Sequence, residues 1–205
     1  MPTVARVCVV DDDAPVRTLA CRILEGHGYA VTGYKSADDL LRDFNDAEID
    51  CIVTDLKMPA VDGLEFQRRL AQLGSVVSLV VLTAYADVRT TVRLMQEGAI
   101  SLLEKPYNPA ELVEAVAGAV SKTQARRRER DKVRIAHDRV AKLTPEERKV
   151  MKCIVDGSPN KAIALRLDMS MRTVDRRRQS VLYKMAVNSV SELAKLVAKI
   201  DLDQE

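Results

Sequence analysis

The chain has no tryptophan and only two phenylalanines, and aromatic residues make up 3% of its 205 positions. A surface that stacks successive bases on aromatic rings, the usual platform for single-stranded nucleic acid, is therefore not available. Histidine is as scarce, with two in the whole chain, which excludes a histidine-rich metal centre. The four cysteines, Cys8, Cys21, Cys51 and Cys153, form no Cys-x-x-Cys pair and fall mainly in apolar runs. Buried thiols in a reducing compartment fit that pattern better than a disulfide or zinc framework. No apolar run approaches the roughly 18 residues that a membrane span needs. The first ten residues read as a strand leading into three acids, not as the apolar core of a signal peptide. A cytoplasmic location with no membrane partner is the expectation.

What is present is a substantial apolar fraction, 47%, and an uneven distribution of charge. The net charge of +2 conceals −7 over residues 1–120, +6 over residues 121–142 and +3 over residues 143–205. An acidic part followed by a basic one points to two domains with different partners, the second of them polyanionic. A charge run alone is more often the mark of a solvated helix face than of a binding surface.

Residues 1–120 alternate strand-like and helix-like segments. Strands are expected over 4–10, 30–34, 49–55, 76–83 and 100–103, and helices over 15–25, 36–45, 64–73, 88–96 and 109–120. Ser36 is a helix cap followed by Asp38 and Asp39 in the first turn. Five strands alternating with five helices imply an α/β fold, a doubly wound five-stranded parallel sheet covered on both faces. Residues 121–142 contain no glycine or proline and read as a charged, helical linker. Val133, Ala136, Val140 and Leu143 recur there at helical spacing, as a modest self-association seam or as part of a solvated connecting helix. Residues 143–205 read as a small all-α domain of four short helices. Thr144-Pro145-Glu146-Glu147 carries the signature of a capping box, and the second and third helices, joined by Asp168-Met169-Ser170, have helix-turn-helix proportions.

The chemistry gathers at strand ends. The run Cys51 to Asp55 stops at a carboxylate, with Pro59 blocking continuation; the first strand ends in Asp11-Asp12-Asp13; the fourth ends in Thr83; and the fifth leads to Lys105-Pro106. The carboxyl edge of an open α/β sheet is where such folds place ligands. Three carboxylates within a few ångströms repel, at about 4 kcal/mol per pair at 4 Å and an effective dielectric near 20. A hard dication with oxygen ligands, Mg²⁺ by abundance, relieves that repulsion. An acid, a dication and an ammonium are the means that phosphoryl transfer requires, and Asp55 is the natural nucleophile.

These motifs, Val9-Val10-Asp11-Asp12-Asp13, Asp55 with Lys57-Met58-Pro59 and Asp62-Gly63, Leu82-Thr83-Ala84 and Glu104-Lys105-Pro106-Tyr107, resemble in order and spacing the receiver domain of two-component response regulators. The resemblance covers residues 4–120. It implies Asp55 as phosphoacceptor, and Asp11, Asp12 and Asp55 with the Lys57 carbonyl as the Mg²⁺ site. It also implies Thr83 as the switch hydroxyl and Lys105 as the phosphate-binding cation; Asp13 reads as a first-turn helix residue. One departure is Leu102, where many receivers have an aromatic that swings inward on activation. The switch is then expected to be relayed through Tyr85, Tyr107 or the face containing Val88, Val92 and Met95.

Residues 143–200 are similar to the LuxR/FixJ/NarL-type helix-turn-helix DNA-binding domain, through Leu143 to Arg148, Gly157 to Ala164, Leu167 to Ser170, Thr173-Val174 and Lys184-Met185. The helix that Ser170 opens would turn Val174, Val181, Leu182 and Met185 to the core. Its other side presents groups able to meet base edges and phosphates. The resemblance implies that Asp175, Arg176 and Gln179 read bases and that Arg177 and Arg178 lie near the backbone. Lys161 and Thr173 would anchor phosphates, Lys184 is a further candidate contact, and Leu193, Leu196 and Val197 would form the dimerisation face. Arg177 stands where relatives often have histidine.

The expected function is that of a DNA-binding transcriptional response regulator, phosphorylated on Asp55 by a cognate histidine kinase. Phosphorylation would favour a homodimer on double-stranded DNA, with RNA polymerase as a further partner. The chain is not expected to be an enzyme beyond assisting its own Mg²⁺-dependent phosphorylation and dephosphorylation. Two alternatives stay open: a phosphate-independent DNA-binding regulator, and a phosphorelay or protein-interaction module.

Overall fold

A computed structural model describes residues 4–59, 61–84, 92 and 101–200. Contacts divide the chain into two compact units, residues 1–127 and 128–205.

In the first unit, strands β1 (Arg6–Val10), β2 (Ala30–Tyr34), β3 (Cys51–Asp55), β4 (Ser78–Thr83) and β5 (Ser101–Glu104) form one parallel sheet in the order β2-β1-β3-β4-β5. Every residue of β3 and β4 is buried, which is why these strands read as unbroken apolar runs rather than as alternations. The period of two still sorts side chains between two cores. Val7, Val9 and Val53 join Leu24 of helix α1 (Ala14–Gly26) and Leu112 and Val116 of helix α4 (Pro109–Ala141) on one face. Cys8, Val10 and Ile52 join Leu40 of α2 (Ala37–Arg42) and Phe66 and Leu70 of α3 (Gly63–Gln72) on the other. Because β1 sends its crossover one way to β2 while the chain returns on its other side as β3, the strand order reverses between β1 and β3. That switch point opens a crevice at their carboxyl ends.

Short-range chemistry starts the helices as expected. Asp13, Ser36 and Asp62 cap α1, α2 and α3, accepting from the N–H groups of Val16, Asp39 and Glu65. Asp13 is thus the cap of α1 rather than a first-turn residue. Of the helix expected over 88–96, all but Val92 lies outside the described residues.

Helix α4 is continuous for 33 residues, so the segment read as a linker is helical throughout all but its last residue. Its stretch 121–127 is built into the first unit: buried Thr123 accepts from the Ser78 N–H at 2.9 Å, and Arg127 pairs with Asp50 at 2.7 Å. Arg127 also donates to the carbonyls of Asp46 and Ile49.

The second unit holds the end of α4 and helices α5 (Pro145–Val155), α6 (Asn160–Arg166), α7 (Met171–Lys184) and α8 (Val190–Val197). The capping box is present as read: Thr144 accepts from the Glu147 N–H, and Glu147 accepts from the Thr144 N–H. Residues of two candidate self-association surfaces pack within this unit. Ala136, Val140 and Leu143 are buried in this unit's own core, as are Leu193 and Val197, with Leu196 packed against the same cluster. Four short helices expose much apolar surface relative to their size, and these residues cover it within the chain.

Candidate functional site

Asp55 ends β3, and beyond it Leu56 N–H still donates to Leu82 O at 2.8 Å, so the strand is held up to the point where the loop leaves. The loop then folds back tightly. Gly63 N–H donates to Leu56 O at 2.9 Å, and a Cβ at residue 63 would stand 3.0 Å from the Asp55 carbonyl oxygen. Only glycine allows that approach without moving the strand end. Lys105 is placed from the other side, its N–H donating to Thr83 O at 2.7 Å.

These constraints bring three expected residues together. Lys105 Nζ lies 2.9 Å from Asp11 Oδ2 and 2.8 Å from Asp55 Oδ1, bridging the ends of β1 and β3. The remaining oxygens have partners: Asp11 Oδ1 accepts from the Asp13 N–H at 2.9 Å, and Asp55 Oδ2 from the Lys57 N–H at 3.2 Å. Both acids are buried, as is Thr83. Burial opposes the Lys105 charge, yet hydrogen bonds to Asp55 and Asp11 outweigh it and hold the ammonium pKa above the ordinary lysine value.

Asp12 is exposed, and among the described residues no three His, Cys, Asp or Glu side chains converge as a ready metal cage. The structure thus joins two acids on a lysine, not three acids. One ammonium between two carboxylates still leaves a negative excess on hard oxygen donors. Mg²⁺ typically takes one or two carboxylates and completes its shell with water and phosphate, so the residues present fit it. Leu102 is half-buried against Leu56 and Val81. Tyr107 is half-buried and packs on the core between α1 and α4. Tyr85, Val88 and Met95 lie outside the described residues, and Val92 is exposed.

In the second unit, Ser170 caps α7, accepting from the Thr173 N–H, and Val174, Val181 and Met185 are fully buried with Leu182 partly so. Arg172, Asp175, Arg176 and Gln179 are exposed, and Lys161 of α6 is exposed as well. Other candidates are engaged internally. Lys184 Nζ lies 2.7 Å from the buried Glu147 carboxylate, and Arg177 lies 3.5 Å from Glu146. Thr173 and Arg178 are half-buried, the Thr173 hydroxyl sharing a hydrogen bond with Ser170 at 2.8 Å. Burial penalises the Glu147 anion, but hydrogen bonds from Lys184, Ser180 and the Thr144 N–H more than offset this and bring its pKa down to about 2.

Two residues were not singled out by sequence. Tyr183 is 86% exposed and continues the stripe of Arg172, Arg176 and Gln179 at spacings of four, three and four, a signal visible once the buried side of α7 is fixed. Asn160 donates to Asp175 across two helices, and no local spacing announces that.

Residues 7–117 match the family described as "Response regulator receiver domain", and residues 141–197 match "Bacterial regulatory proteins, luxR family". Fold, site and family together define the class: this is a two-component transcriptional regulator with a receiver and a LuxR-type DNA-binding domain. The chain is 37% identical over 196 residues to the transcriptional regulatory protein FixJ of Azorhizobium caulinodans, spanning 96% of this chain and 93% of that one. It is 35% identical over 190 residues to FixJ of Rhizobium meliloti, spanning 93% of each. The solved response regulator StyR superposes with a TM-score of 0.84 at 31% identity, covering 96% of this chain and 100% of that one. Full-length FixJ from B. japonicum superposes with a TM-score of 0.56 at 32% identity, covering 95% and 96%. The chain belongs to the FixJ-like response regulators. Among its described residues, no helix is long and apolar enough to cross a membrane.

Proposed function

We propose that Asp55 is the residue that accepts the phosphoryl group, delivered by a histidine kinase. The observation that carries this is Lys105 Nζ bridging Asp11 and Asp55 at the carboxyl edge of the sheet. An Asp55 carboxylate oxygen attacks phosphorus, the bond from phosphorus to the donor breaks, and an acyl phosphate forms. Lys105, already at hydrogen-bond distance, neutralises oxygen charge as it develops. Bound Mg²⁺ would be held by Asp11, Asp12, Asp55 and the Lys57 carbonyl, and would supply further charge neutralisation. Thr83, buried one strand away, is the hydroxyl that engages the new phosphoryl oxygens.

The readout is DNA. The exposed face of α7, with Arg172, Asp175, Arg176, Gln179 and Tyr183, fits a major groove, and Lys161 lies where a phosphate contact is useful. Lys184 and Arg177 act as struts between α7 and the start of α5 rather than as first-line contacts. Phosphorylation favours pairing of two chains, so that paired half-sites are gripped at raised effective concentration, with RNA polymerase a downstream partner. Leu193, Leu196 and Val197 of α8 are kept as the face for that pairing, Leu196 being the one left partly exposed. A cytoplasmic location follows from this reading.

Asp55→Asn is expected to abolish Mg²⁺-dependent labelling by acetyl phosphate while leaving the fold intact by circular dichroism. Label retained by that variant places the acceptor elsewhere.

A further inference from the structure

Asp175 is the only acid in α7, whose exposed side otherwise carries Arg172, Arg176 and Gln179. An anion there is repelled by the phosphates of a duplex, so a helix shaped for grip alone gains nothing from it. The structure gives this carboxylate a fixed direction. Its Oδ1 accepts from Nδ2 of Asn160, the first residue of α6. That amide is not used as a helix cap, since Pro159 occupies the cap position and makes no side-chain bond. The two residues meet because the turn between the helices is closed sharply. Asp168 adopts φ of 51°, and Met169 N–H reaches back to Ala164 O at 2.9 Å, which ends α6 and starts α7 at a defined angle.

An amide partner differs in kind from an arginine. It holds the carboxylate in place without cancelling its charge, so the other oxygen, Oδ2, is kept as a strong acceptor at a defined position. At the major-groove edge, the amino groups of cytosine N4 and adenine N6 donate hydrogen bonds, whereas guanine O6 and thymine O4 offer only lone pairs. A pinned carboxylate accepts from the first two and is repelled by the others. A carboxylate free to rotate would turn aside to a neighbouring arginine and lose that discrimination.

We propose that Asn160 is a positioning residue for DNA recognition, and that the Asn160–Asp175 pair selects a base carrying an exocyclic amino group at one position of each half-site. This rests on the DNA-binding reading given above. The full-length chain treated with acetyl phosphate is used to select duplexes from a random pool, and affinity is then measured for all four bases at every selected position. The wild type prefers cytosine or adenine over guanine and thymine at one position by about tenfold or more, and the four arms separate the two amino bases. Asp175→Ala removes that preference alone. Asn160→Asp is isosteric and favourable in the first turn of a helix, so it keeps α6 while replacing the donor by a like charge. It removes the same preference, with the salt dependence of affinity unchanged. The Asn160→Ala/Asp175→Ala double variant loses no more than Asp175→Ala does. A preference that survives in Asn160→Asp, or a loss spread evenly over all positions, overturns the assignment. A wild type that enriches no sequence overturns the DNA-binding reading itself. Ordinary enrichment that is indifferent to Asp175→Ala overturns the pair alone.

Discussion

Lys105 holds two buried carboxylates with one positive charge, and that imbalance governs the site. Removing the ammonium leaves Asp11 and Asp55 facing each other uncompensated, at a cost on the order of 2–4 kcal/mol in a partly buried setting. Lys105→Ala is therefore expected to lower the receiver's melting temperature at neutral pH, and millimolar Mg²⁺ is expected to restore more of it than in the wild type. Calorimetry with and without the metal checks both; a variant as stable as the wild type and indifferent to Mg²⁺ removes the charge argument. Glu147 presents the mirror case, an anion with more donors than it needs. Its pKa falls from 4.5 to about 2 on folding, so the folded state binds the proton more weakly than the unfolded chain. Its contribution is complete above about pH 4.5 and is lost as the pH drops toward 2, at most roughly 3 kcal/mol. Denaturant midpoints of wild type and Glu147→Gln should converge over that window and stay apart above it. A constant difference from pH 2 to 6 contradicts the assignment.

Among the elements, α4 shows how a local reading and a packed structure part company. Residues 121–142 are strongly helical by composition, and all but Lys142 are helical. Their faces could not be assigned from that pattern, because the surface each turn meets is set by distant residues. Thr123 and Arg127, one turn apart, complete the receiver at Ser78 and Asp50, whereas Ala136 and Val140 complete the core of the second unit. Arg127→Ala leaves Asp50 half of a broken, mostly buried ion pair and is expected to cost about 3 kcal/mol, read as an earlier unfolding transition of the receiver. An unchanged transition would show that the segment is a true linker. Features that depend on neighbours in sequence were legible: the Ser36, Thr144 and Ser170 caps, the unbroken apolar strands, and the acids at their carboxyl ends. Features that depend on which helix lies opposite were not. Lys184 was legible only as a candidate DNA contact and Arg177 only as a residue near the DNA backbone, because Glu147 and Glu146, 37 and 31 positions away, gave no sign of pairing with them. Leu193 and Val197 face their own core, a neighbour that the amphipathic pattern of a short helix does not identify.

For the molecule as a whole, the charge asymmetry of the sequence corresponds to two jobs: an acidic unit that carries the proposed phosphoryl site, and a basic unit whose exposed helix face is suited to a polyanion. The central claim joins them: a covalent change at Asp55 alters how strongly the second unit holds a duplex. The most direct measurement is the affinity of the full chain for one selected duplex, at fixed salt with Mg²⁺, before and after acetyl phosphate, in parallel with Asp55→Asn. We predict that phosphorylation tightens wild-type binding by tenfold or more, as expected when two half-sites are engaged together, and leaves Asp55→Asn unchanged. Equal affinity in all four arms would contradict the account.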